Sequence, residues 1–224
     1  MARQLSFDLP VRTARSREDF FVSPANAAAV GLIEAWQGWP ARKLVLSGPT
    51  GAGKTHLAHV WAMQANARIV DAASLPAQDI PALATGNIAI EDAECIAGNR
   101  PAEEALFHLH NLTLAEGHSL LLTARTAPNR WGLGLPDLAS RMEATTLAEL
   151  SPPDDALLMA VMMKLFTDRQ LNPAPGVLPY LTRRIDRSFA AAQQVVAALD
   201  AAALDTGRAI NTGLARQVLD NLSD

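Results

Sequence analysis

The stretch that most constrains this chain is an apolar run, Lys43-Leu44-Val45-Leu46-Ser47, that breaks into Gly48-Pro49-Thr50-Gly51-Ala52-Gly53-Lys54-Thr55. Glycines at that spacing ahead of Lys-Thr predict a loop whose backbone N–H groups turn inward around phosphate oxygens. The loop opens onto the N-terminus of a helix whose dipole favours anions. In that geometry Lys54 reaches the β- and γ-phosphates and the Thr55 hydroxyl ligates Mg²⁺. Leu44, Val45 and Leu46 have strand character, and His56-Leu57-Ala58-His59-Val60-Trp61-Ala62-Met63 continues as a helix. A phosphate-binding strand-loop-helix unit is therefore expected in preference to a purely structural glycine turn.

Composition sets outer bounds. A chain of 224 residues, 49% apolar with a formal charge of −4, can build one sizeable core and a smaller appended one. It has neither the ~18-residue apolar run of a membrane span nor the basic-then-apolar start of a secretory signal, so a cytoplasmic protein without membrane partners is expected. The single cysteine, Cys95, excludes an intramolecular disulfide and a cysteine-based zinc cluster, and is expected to be a small buried apolar residue. Mild acidity disfavours nucleic-acid binding, which needs clustered Lys and Arg. Nucleotide and protein are the expected partners.

Along the chain, residues 1–15 lack a helical period and read as an extended tail. Within it, Gln4-Leu5-Ser6-Phe7-Asp8-Leu9 alternates polar and apolar residues, which suits either a peptide laid into a groove by Leu5, Phe7 and Leu9 or a strand packed on its own domain. Ser23 and Pro24 predict a helix start, with the helix running through Trp36. Strands are expected at 68–71, at 87–90 and at 119–125, with a weak helix over 76–85 and a stronger one over 101–116 that has Glu103 and Glu104 in its first turn. The second of these strands ends in Glu91-Asp92, carboxylates that belong beside the phosphate loop in a parallel α/β sheet, one to hold a Mg²⁺-bound water and one to orient an attacking water. Thr123, near the end of the third, is placed to hydrogen-bond a γ-phosphate or that water. His108, His110 and His118 read as surface or core-edge residues. Beyond Ser151-Pro152-Pro153 the strand signal stops, and helices are expected over 154–170, 176–185, 188–204 and 212–222, a second lobe that can fold over the nucleotide as a lid.

This order of phosphate loop, carboxylate strand, threonine strand and helical lid resembles the AAA+ ATPases. Gly48 to Leu57, with His56 and Leu57 after the Thr, resembles the phosphate loop of their DnaA branch. Glu94-Cys95-Ile96-Ala97-Gly98, Leu133-Gly134-Leu135-Pro136-Asp137-Leu138-Ala139-Ser140-Arg141 and the Gln4-to-Leu9 tail resemble the Hda-like regulators within that branch. The resemblance implies an α/β AAA+ P-loop fold: a tail over 1–15, a nucleotide-binding domain over 16–150 with a parallel sheet flanked by helices, and an all-helical lid over 151–224. It implies ADP or ATP with Mg²⁺ on residues 48–56, the metal on Thr55 and, through water, on Glu91. Asp92, Glu91 and Thr123 then form the hydrolytic set.

The implied partners are the DNA polymerase III sliding clamp, held by Gln4, Leu5, Ser6, Phe7, Asp8 and Leu9, and DnaA, whose bound ATP would be hydrolysed with Arg141 as an arginine finger in trans. A salt bridge or helix-end cap is the structural alternative for Arg141. A homo-oligomer is compatible with the pattern. The chain stops after the lid, so direct sequence-specific DNA binding is not expected. Two departures argue for weak or absent hydrolysis at the chain's own site. The carboxylates run Glu-Asp rather than Asp-Glu or Asp-Asp, and Ala190 stands where the family's lid arginine aligns, with Arg187 an approximate substitute. The rival expectation is a stand-alone AAA+ ATPase of the DnaA and helicase-loader branch that remodels a replication partner.

Overall fold

The computed structural model describes residues 21–223; the segment Gln4 to Leu9 lies outside them. Five strands, β1 (Lys43–Ser47), β2 (Arg68–Asp71), β3 (Ile88–Glu91), β4 (Leu120–Ala124) and β5 (Thr146–Glu149), form one sheet in the order β2-β3-β4-β1-β5. Every pairing is parallel, with β4 central and β1 between β4 and the edge strand β5, in register with Leu120 to Ala124 on one side and Thr146 to Glu149 on the other. All residues of β1 and β4 are buried, which is why these strands read as unbroken apolar runs: both faces of a parallel sheet are covered by helices.

Alternation along the strands divides the core. Val45, Ile88, Ile90, Leu120 and Leu122 pack on one face against α4 (Arg100–Ala115) and α5 (Pro136–Glu143). Leu44, Leu46, Ala89 and Leu121 face the other way, onto α1 (Ala27–Glu34) and α2 (Lys54–Ala65). Trp61 of α2 is fully buried there, stacked on Trp39 at 5.4 Å between ring centroids, with Trp36 edge-on at 6.3 Å. The short α3 (Ile80–Leu83) lies between β2 and β3. After the sheet, α6 (Asp155–Asp168), α7 (Val177–Thr182), α8 (Phe189–Thr206) and α9 (Thr212–Ser223) enclose a separate core around Leu158, Met162, Phe166, Val195, Leu199 and Leu214. Asn99, Asp154 and Ser188 cap α4, α6 and α8 through side-chain oxygens. Among the described residues no helix is long and apolar enough to cross a membrane.

Three local expectations change. The first helix starts at Ala27 rather than near Ser23, because Asn26 Oδ1 accepts the Ser23 N–H at 2.8 Å and its amide donates to Phe21 O, tying the preceding residues into a turn. It also ends at Glu34, where a tighter turn over Trp36–Gly38 brings the tryptophans onto Trp61. The expected helix over 76–85 is a 3₁₀ turn at Ala72–Ala77 followed by the single turn of α3, since Pro76 and Pro81 lack the N–H groups a continuous helix requires. Finally, β5 has no counterpart in the sequence expectations; only Ala148 of its four residues is buried, so no period marks it.

Candidate functional site

Gly48, Pro49, Thr50, Gly51, Ala52 and Gly53 link the C-terminal end of β1 to α2, whose first turn carries Lys54, Thr55 and His56. Gly51 and Gly53 stand at φ +76° and +97°, values an L side chain resists, and their bare Cα atoms face the lid. A Cβ on Gly53 would lie 2.7 Å from Phe189 Cε2, and one on Gly51 would run into Ser188 Cβ. The Phe189 N–H donates to Gly51 O at 2.9 Å. The N-terminus of α8 thus seats directly on the loop.

Lys54 is buried, and its ammonium donates to Gly48 O at 2.7 Å and Pro49 O at 3.0 Å, which holds it inside the loop. Burial lowers its pKa, partly offset by the charges of Asp92, Glu94 and Glu91, while Arg125 adds to the lowering. These charges converge at the C-terminal edge of the sheet. Glu91 closes β3, and Asp92 follows in a left-handed conformation at φ +51° that turns its N–H onto Thr123 Oγ1 at 3.1 Å. Thr123, 1% exposed, accepts that bond and keeps its own proton to donate.

Glu91 Oε1 and Glu94 Oε2 are buried without a hydrogen-bond partner, whereas Glu94 Oε1 accepts the Arg125 N–H at 2.8 Å. A buried carboxylate oxygen left in this way is costly unless a cation or water meets it, so these two oxygens are where a cation would be met; among the described residues no group of three His, Cys, Asp or Glu side chains forms a metal cluster. Thr55 is exposed at the start of α2.

In the lid, Ala190 is exposed in the first turn of α8. Arg187 pairs with Asp155 at 2.7 Å, an exposed bridge within the lid rather than a contact to the loop.

Arg141 is at the other end of the sheet. It lies in the last turn of α5, its guanidinium 5.3 Å from the Phe107 ring centroid and its carbonyl accepting Lys43 Nζ at 2.8 Å and Thr145 Oγ1 at 2.8 Å. Lys43 begins β1 and the phosphate loop follows its last residue, so the strand separates the two by about 13 Å at ~3.3 Å per residue. Arg141 is exposed there.

No protein-family model matches this chain. Among solved structures, domain III of the replication initiation protein DnaA from Thermotoga maritima superposes with a TM-score of 0.81 at 19% identity, covering 95% of this chain and 98% of that one. The fold is the AAA+ fold. AMPPCP-bound DnaA from Aquifex aeolicus matches at a TM-score of 0.70 and 16% identity over 84% of this chain, which spans 65% of the length of that protein. The Thermotoga maritima RuvB Holliday junction branch migration motor matches at 0.69 and 20%, over 87% of this chain and 67% of that one.

Within this AAA+ fold the structure gathers the loop residues, Glu91, Asp92 and Thr123 at one sheet edge and leaves Arg141 at the other. Sequence reasoning missed Glu94 and Arg125, although a third carboxylate three residues after Glu91 was a legible signal. It also missed Ser188 and Phe189, which no local pattern connects to the loop. Two residues need correction. Cys95 is exposed, because in the turn Ala93–Ile96 it is Ala93 and Ile96 that face the core. His110 is 2% exposed, drawn inward by Lys43 Nζ at 3.4 Å and Asn111 Oδ1 at 3.2 Å.

Proposed function

We propose that this chain is an Hda-like regulator of replication initiation, a cytoplasmic adapter that docks on the DNA-loaded sliding clamp and promotes hydrolysis of ATP bound to DnaA. Residues 48–56 hold ADP or ATP, with Thr55 and Glu91 as the Mg²⁺ side and Lys54 against the phosphates. Bound Mg²⁺ supplies charge neutralisation between the terminal phosphates. Gln4, Leu5, Ser6, Phe7, Asp8 and Leu9 engage the clamp. The observation that carries the proposal is the position of Arg141: an exposed cation on the sheet edge opposite its own phosphate loop cannot reach its own nucleotide and is free to meet a neighbour's. A guanidinium delivered there stabilises the charge that develops on the γ-phosphoryl oxygens in the transition state, an effect worth about 10³–10⁵ in rate where it has been measured in other phosphoryl-transfer systems.

The deciding experiment is hydrolysis of DnaA-bound ATP with clamp loaded on DNA. Arg141→Ala is expected to remove the stimulation while nucleotide and clamp binding persist; undiminished stimulation would reject the finger. A second reading has one observation in its favour: unpartnered Glu91 Oε1 beside Lys54, with the Thr123 hydroxyl near Asp92, would serve as a hydrolytic set of the chain's own. ATP turnover by the purified chain in the absence of DnaA would support that stand-alone ATPase.

A further inference from the structure

The helix that carries Arg141 is held at each end by a buried charged side chain from a neighbouring element. At its start, the Glu103 carboxylate of α4 accepts the Gly134 N–H at 3.0 Å and the Leu135 N–H at 2.6 Å, and takes the Gly98 N–H at 2.8 Å as well. Leu135 is the residue before Pro136 and has no side-chain oxygen with which to cap the helix, so Glu103, 1% exposed, supplies an anion to the positive end of α5 from outside it. At its finish, Lys43 Nζ donates to the carbonyl of Arg141 itself, placing a cation at the negative end, and His110 Nε2 lies 3.4 Å from that ammonium.

An eight-residue helix does not hold its shape unaided, so these two groups and the buried Leu138 and Met142 define where α5 lies. Stability alone does not account for the lysine. At 7% exposure its ammonium has been taken out of water, and an apolar side chain of the same length would fill the space without that cost. What the charge adds is direction, because it fixes the peptide group from which the Arg141 side chain projects.

We propose that Lys43 and Glu103 are positioning residues for Arg141, clamping α5 at both ends so that the guanidinium is presented to a nucleotide held by another subunit. This rests on the reading of Arg141 as a group that acts in trans. Misplacing a transition-state contact by about 1 Å can cost on the order of a hundredfold in rate, so a loosened helix end should be visible in the chemistry before it is visible in the fold.

The test uses Lys43→Met and Glu103→Gln, each alone and each combined with Arg141→Lys, which keeps a cation and a residual stimulated rate, in the assay of stimulated hydrolysis of the partner's ATP, with melting temperature measured alongside and Arg141→Ala as the null reference. Lys43→Met is expected to lower the maximal stimulated rate about tenfold or more, to leave the half-saturating concentration of the chain within about twofold, and to hold or raise the melting temperature. In the Arg141→Lys background, where a cation remains but the planar fork does not, it should cause a clearly smaller loss than in the wild type, since residues that act as one unit are not additive. Glu103→Gln keeps the shape and one acceptor oxygen and should act in the same direction from the other end of the helix, which preserves the test if Lys43→Met fails to fold. Stimulation within about twofold of wild type in both variants, while Arg141→Ala alone abolishes it, would overturn the positioning role. A loss of equal size in the wild-type and Arg141→Lys backgrounds would overturn it too, by showing a general structural effect. If Arg141→Ala alone leaves hydrolysis intact, the in-trans reading fails instead, and the positioning role falls with it.

Discussion

His110 joins the sheet edge to the pH response of the molecule. Burial, then the charges of Lys43 and Arg141, hold its pKa down to about 4 against an ordinary 6.5, even though the Asn111 hydrogen bond pulls the other way. The folded chain keeps this imidazole neutral where the unfolded chain charges it. Its stabilising contribution is therefore complete above about pH 6.5 and is lost as pH falls toward 4. Between pH 7 and pH 5 roughly 2 kcal/mol of unfolding free energy should disappear on this account. Urea denaturation at the two pH values checks it, with His110→Asn as the control. The variant should show a smaller acid loss by about that amount, and an equal loss in both proteins would remove His110 as the cause. The α4 glutamate that holds the start of α5 works in the opposite chemical sense. Burial pushes the Glu103 carboxyl up, but the N–H groups of Gly134, Gly98 and Leu135, with Arg100 nearby, outweigh it and leave the pKa lowered, so its anion is secure at neutral pH.

Among the elements, α8 and the phosphate loop are the pair whose contact no sequence period announces. Ser188 caps α8 by accepting the Ala191 N–H at 3.1 Å, and that fixes the helix start so that the Phe189 N–H and ring meet Gly51 and Gly53. The glycines of the loop thus meet the start of α8 on their outer side, which leaves the inner side for the proposed phosphate. Gly53→Ala places a methyl 2.7 Å from the Phe189 ring at φ +97°, and it should weaken nucleotide binding at least about tenfold while loosening the lid. Adding Phe189→Ala should relieve the collision but not the backbone strain, which leaves about 1–2 kcal/mol in place. Titration calorimetry with ADP on the single and double variants separates the two causes. Full recovery in the double variant would show that backbone strain is unimportant, and unchanged affinity in Gly53→Ala would dismiss the contact.

For the whole molecule, the decisive arrangement is that the two functional edges lie at opposite ends of one rigid sheet. The glycine-rich loop and Arg141 are kept apart by the length of β1. The helical lid has its own core, and a unit of its size sits near the limit at which a single core supplies only about 3–5 kcal/mol. Scanning calorimetry without nucleotide should accordingly resolve two transitions, the lid melting first, with ADP drawing them together if the proposed site on residues 48–56 holds it against the start of α8. A single transition with equal calorimetric and van't Hoff enthalpies would mean that the Phe189 contact already couples the two units fully.

Residue order alone was enough to specify the buried strands β1, β3 and β4, the loop between β1 and α2, and the four lid helices, because apolar runs, glycine spacing and caps are local signals that survive in one dimension. The strand β5 was not legible, since four residues with a single buried member become a strand only by pairing with β1. Nor was the burial of His110 and Lys43, the exposure of Cys95, or the seating of Phe189 on Gly53, each of which depends on where distant segments land. The same holds for the placement of Arg141. Its neighbours in the chain suggest a role, but only the parallel sheet decides that it stands at the far edge from Lys54, because direction along a strand becomes distance in space only after the strands have paired.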